Sequence, residues 1–125
     1  MVAVFANNQT LVCVQGTDAI VYTDPVSLGD NDRLSAMLNV HSLVSGGGVT
    51  TRTLTITAQV SNDGGQNYVA SSVVTDTTAA IGIRQVVGTV NGALVRFMFR
   101  FGATGGSSGD FAGCCFDLHV NMDHV

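Results

Sequence analysis

Between Thr51 and Val60 the chain alternates. Leu54, Ile56, Ala58 and Val60 fall on one side of an extended backbone, and Thr53, Thr55, Thr57 and Gln59 on the other. Successive side chains of a strand point to opposite faces, so this pattern predicts a half-buried β-strand with a threonine-lined solvent side. Ser61-Asn62-Asp63-Gly64-Gly65-Gln66-Asn67 then interrupts it with residues that accept turn conformations, and alternation resumes from Tyr68 to Val74. Together these segments predict a β-hairpin.

The same period recurs along the sequence. Further strands are expected at Val2 to Phe5, Thr10 to Gln15, Ala19 to Thr23, Arg33 to Leu43, Ala80 to Val87, Ala93 to Phe101 and Phe111 to Met122. Leu34, Met37, Leu38 and His41 also satisfy a helical spacing, but the alternation of Leu34, Ala36, Leu38 and Val40 favours a strand there. Val95, Phe97, Phe99 and Phe101 share one face of their segment. Cys114, Phe116, Leu118, Val120 and Met122 do the same in the last. If those two strands were paired, Arg96 or Arg100 would meet Asp117 across the ladder.

Composition leaves no competitor to this reading. The chain has no lysine and no glutamate, two of the better helix formers, so a polar helix face has little to be built from. An all-helical domain is excluded, and so are the long helical crossovers that parallel strands require. Glycine-rich breaks at 46–48, 62–65 and 105–109 separate short strands. The expected architecture is all-β, an antiparallel β-sandwich or jelly-roll-like fold, forming a single domain over residues 1–125. Residues 1–9 are expected to form an extended docking arm, with Val2, Val4 and Phe5 adding to a neighbour's sheet. No run of 18 or more apolar residues predicts a membrane span. The N-terminus lacks a signal-peptide pattern, so residence in a cytosol is expected.

Chemistry is sparsely represented. With nine acidic residues, all aspartate, and three histidines, acid–base work has few candidates. Asp117 and His119 lie two apart on one strand face and could share a metal or a proton. Their expected role is a solvated polar face, and neither an enzymatic activity nor a cofactor is expected. Asp30, Asp32 and Asp63 sit in oxygen-rich turns that a hard cation would accept. Asx turn closure accounts for the same residues, and no metal site is assigned. Cys13, Cys114 and Cys115 are expected as reduced thiols, at least one of them packed as a small hydrophobe.

Charged residues make up only 11% of the chain, against about a quarter in ordinary soluble domains. Low charge combined with 46% hydrophobic residues suits a surface covered by copies of the chain or by a neighbour. The net charge of -4 argues against contact with nucleic acid, whose phosphates would repel it. Tyr22 and Tyr68 are the aromatic candidates for a glycan platform.

The segment from Ala58 to Tyr68 resembles a hairpin common in small β-sandwich virion proteins of tailed bacteriophages. There a strand ending in Ser-Asn-Asp-Gly-Gly is followed, after a short gap, by an aromatic residue. Here that residue is Tyr68, where tryptophan is frequent. The Thr23-Asp24-Pro25 turn and the Arg33 to Leu43 strand extend the likeness to about 50 residues. The resemblance implies a capsid decoration (cement) protein that binds the major capsid protein at capsomer junctions. It also implies self-association, with a trimer as the expected form. The implied location is the virion, assembled in the host cytoplasm. Contact roles fall to exposed loops and edge strands, which assigns Asn62, Asp63 and Tyr68 to an interface beside Val2, Val4 and Phe5. A glycan- or surface-binding module, or a phage tail or neck subunit, are the alternatives.

Overall fold

The computed structural model describes residues 1–125, and every regular element in it is a strand. In chain order these are β1 (Val2–Val14), β2 (Ala19–Tyr22), β3 (Val26–Ser27), β4 (Arg33–Ser45), β5 (Thr51–Ser61), β6 (Val69–Thr78), β7 (Gly82–Thr89), β8 (Leu94–Thr104) and β9 (Phe111–Asp123). One sheet, here sheet A, has the order β1-β9-β4-β7. Sheet B has the order β2-β8-β5-β6, with β3 also on β8. Every pairing is antiparallel.

The two sheets close on one core. The inward residues of β8 (Val95, Phe97, Phe99, Phe101) and of β9 (Cys114, Phe116, Leu118, Val120, Met122) are buried, as alternation predicts. They meet Leu34, Ala36, Leu38 and Val40 of β4 and Leu54, Ile56 and Ala58 of β5 in a single cluster of 24 buried residues. Aromatic contacts join the layers. Phe99 stands edge-on to Phe116 at 4.9 Å between ring centroids, and Phe5 tilts against Phe97 at 4.9 Å. Such pairs contribute about 0.5–1.5 kcal/mol beyond their burial. The architecture is therefore an all-β antiparallel sandwich, and Arg33–Ser45 is a strand rather than a helix.

Four features depart from the sequence-based expectation. First, the segments expected at Val2 to Phe5 and Thr10 to Gln15 merge into one strand, β1, which ends at Val14. Register shifts between Val4 and Ala6 and between Ala6 and Gln9 break its alternation. Asn8 sits inside this irregular stretch at φ 49°, a conformation asparagine tolerates better than most side chains. Second, residues 1–9 are not a free arm, because Val2, Ala3 and Val4 pair with Asn121, Val120 and His119 of the same chain. Phe5 packs against the core rather than outward. Third, β3 is only two residues long, too short for any periodicity to reveal it. Fourth, β8 and β9 belong to different sheets. Arg96 and Arg100 therefore lie on the opposite outer surface from Asp117. Arg100 faces Asp18 (3.2 Å), and Asp117 faces His41 (2.7 Å).

Candidate functional site

The outer face of sheet A follows from the register. Val12, Gly113 and Val44 lie side by side on β1, β9 and β4, and Val14 stands opposite Phe111 in the next row. Gly113 lies between Val12 and Val44, and a Cβ there would make ordinary contact with both, 3.5 Å from Val44 and 3.9 Å from Val12. Gly46 leaves room for the Phe111 ring, which a Cβ there would strike. Val12, Val14, Val44 and Phe111 thus form an apolar patch on open surface, with Phe111 55% and Val12 64% exposed.

A second group occupies the other end of the same face. Val2 and Val4 of β1, Met37 of β4, and Ile83 and Val87 of β7 are all exposed. Asn121, His119 and Ser35 lie between them in register. Charge is confined to the corner pair Arg33–Asp123, with hydrogen bonds of 2.8 and 2.6 Å, and to Asp117 in the middle. Asp117 accepts the Asn8 amide (2.6 Å) and contacts His41 Nε2 (2.7 Å). The Asn8 amide, then His41, holds its carboxyl below the usual carboxylate range. Asp117 therefore fastens the irregular part of β1 to the sheet.

Sheet B presents a different outer face. Thr55 and Thr57 of β5 pair with Thr77 and Thr75 of β6 through hydroxyl contacts of 3.0 and 2.9 Å. Beside them Arg96 of β8 lies over two tyrosine rings, 4.3 Å from the centroid of Tyr22 and 3.8 Å from that of Tyr68. Its Nε donates to Gln59 Oε1 at 2.8 Å. Tyr22 is the last residue of β2, and Tyr68 immediately precedes β6.

The turn before Tyr68 explains its placement. Asp63 accepts hydrogen bonds from Ser61 Oγ (2.8 Å), the Asn67 amide (2.9 Å) and Asn67 Nδ2 (2.8 Å). These donors, the Asn67 backbone first, lower its pKa to about 2. Gly64 and Gly65 take φ of 74° and 90°, which lets the chain reverse. The Asn62–Asp63 segment is thus a self-satisfied Asx turn.

The cation candidates Asp30, Asp32 and Asp63 are not brought together. Asp32 receives the Val125 amide (2.8 Å) and faces His124 (3.5 Å) near the C-terminus. No three His, Cys or Asp side chains converge on one point. His119 is exposed and makes no ion pair, while its neighbour Asp117 is engaged by His41. Cys13 and Cys114 are buried free thiols facing the core, and burial pushes Cys114 up to about 12. Cys115 is also free and points to the other side of β9. No pocket opens on the surface.

Sequence reasoning named Val2, Val4, Phe5, Asn62, Asp63 and Tyr68. The structure separates them: the valines lie on the outer face of sheet A, Phe5 packs against the core, and the turn with Tyr68 lies on sheet B. It missed Val12, Val14, Val44, Phe111, Ile83 and Val87. The available signal was apolar runs such as Leu11-Val12-Cys13-Val14, in which neighbours on opposite faces of a strand are both hydrophobic.

No protein-family profile and no curated protein matches the sequence. Solved structures share its fold. The VP2 protein of infectious bursal disease virus, solved as a subviral particle, aligns with a TM-score of 0.65 and 14% identity, over 99% of this chain and 32% of that one. The Gx strain of the same virus gives 0.55 and 10% identity, over 96% of this chain and 30% of that one. The chain spans about a third of the length of these viral proteins. At such identities the likeness is one of fold: a β-sandwich of the kind found in a viral particle protein.

Proposed function

We propose that this chain is a virion structural protein of the capsid decoration type, attached through the outer face of sheet A. The observation that carries the reading is that face itself: two groups of exposed apolar side chains with only isolated charges between them. Exposed apolar side chains gathered on one face mark interaction surfaces, and interface centres are depleted in charge in the same way. Strands about 4.8 Å apart and rising about 3.3 Å per residue give a four-stranded face of this length an area on the order of 800 Å². One partner in a standard interface buries about that much. Recurrence of the sandwich in a viral particle protein supports the same reading.

The major capsid protein is the proposed partner, met at capsomer junctions, with trimeric self-association adding avidity. The mechanism is mechanical: each attached copy adds buried area between subunits of the shell. The reading assigns the chain no catalytic role and no cofactor. With net charge -4 and no lysine, it belongs on the outside of the shell, away from nucleic acid. Quantifying the chain on purified particles tests this. A fixed ratio to the major coat protein, with external density in electron micrographs, is the expected result. A handful of copies per particle would move the assignment to tail or neck, and absence from particles would overturn it.

A further inference from the structure

We infer that Arg96, Tyr22 and Tyr68 form a binding site on the outer face of sheet B for a glycan carrying a sugar carboxylate. The site lies on the opposite sheet from the proposed attachment face and does not depend on it.

Two of the five arginines, Arg52 and Arg96, lack a carboxylate partner, and of these only Arg96 is held against aromatic rings. Arg33, Arg84 and Arg100 each face an aspartate, and Arg52 reaches Ser45. Arg96 has only the neutral Gln59 and two aromatic rings, in a chain that has nine carboxylates to spend on five arginines. The rings and Gln59 hold a long side chain in one place before any ligand arrives, so binding loses less conformational entropy. Nε is occupied by Gln59, which leaves the Nη hydrogens for an incoming group. A planar carboxylate matches two parallel N–H donors better than any other common anion except phosphate.

The surroundings favour a sugar as the carrier of that carboxylate. Thr75 Oγ1 donates to the Ile56 carbonyl (3.2 Å), so in the Thr57–Thr75 pair Thr57 must donate to Thr75. Both protons are then committed; Thr57 is buried, and the exposed Thr75 oxygen offers only a lone pair, which suits a hydroxyl donor of a polyol. Tyr22, 51% exposed, adds an apolar ring edge for sugar C–H groups. The apolar surface that a protein partner would bury lies mainly on the other sheet. One cation without a carboxylate partner on this face, within a net charge of -4, fits one carboxylate in an otherwise neutral glycan, not a polyanion.

Titration of the full-length chain followed by NMR tests the site. The probes are sialyllactose and a glucuronic-acid-terminated disaccharide, which distinguish the two common sources of a sugar carboxylate, with lactose as the neutral comparator. The expected result is that one or both acidic sugars shift the signals of Tyr22, Gln59, Tyr68 and Arg96 Nε, with lactose weaker by at least about tenfold. Arg96→Gln should abolish the preference, and Arg96→Lys should lose most of it because the charge remains while the paired donors do not. Thermal unfolding of each variant checks that the sandwich persists. Failure of both acidic sugars to shift these residues, or binding that Arg96→Gln leaves intact, would overturn the assignment. An acidic peptide binding as tightly as the sugars would also overturn it, in favour of a protein carboxylate.

Discussion

Phe116 makes no contact with solvent and meets Phe99 of the other sheet edge to face. Truncating it opens a cavity between layers that hold their own positions through backbone ladders and so cannot collapse into it. Phe116→Ala is expected to cost about 3–5 kcal/mol, read from the denaturant midpoint. Asn8 gives a second residue-level test. Its φ of 49° is accessible to glycine and strained for a β-branched side chain. Asn8→Gly should be nearly neutral, whereas Asn8→Val should lower stability by about 1–2 kcal/mol. Inward residues such as Phe116 were legible in the sequence because alternation alone assigns them to a face. The partners of Asp117 were not. The aspartate and His119 share a strand face, but the bond to the Asn8 amide exists only because β1 bulges toward it.

Elements were legible where a period of two ran long enough to register, as in β4, β5, β8 and β9. Their pairing was not, because every strand carries the same period and nothing in it names a neighbour. That is why Arg96 and Arg100 were matched to Asp117 although β8 and β9 lie in different layers. The first strand carries the sharpest element-scale test. Residues 2–9 hydrogen-bond to β9, and Ala6 is buried. Deleting them should therefore destabilise the sandwich itself, seen as a lower denaturant midpoint, rather than merely detach it from a partner. The exposed side of sheet A should behave in the opposite way. Val44→Asp combined with Phe111→Asp should leave the thermal midpoint within a few degrees while attachment to particles is lost, since neither side chain is part of the buried cluster.

For the molecule as a whole, acid is the expected weakness. Asp63, Asp76, Asp110, Asp117 and Asp123 are all held below the ordinary carboxylate range by hydrogen bonds or arginines. A depressed folded-state pKa means that the unfolded chain takes up protons first. The stabilisation is thus complete above the unfolded value of about 4 and is lost as pH falls through the folded values. Denaturant midpoints should drop between about pH 4 and pH 2, and Asp63→Asn should flatten the lower part of that decline. The fold class at this scale could be read from composition and period. The contrast between the two outer faces, one apolar and one rich in threonine, could not, because it depends on which strands share a sheet.

The pairing of β1 with β9 also sets a timetable. A chain emerges from the ribosome N-terminus first, and Val2 must wait for Asn121 before its backbone finds a partner. Until then the newly made β1 exposes an unsatisfied, valine-rich strand, open to pairing with any other nascent chain on the same message. The first strand of the sandwich therefore stays without its ladder until the ninth has been made, and the interval between the two is the time of greatest risk.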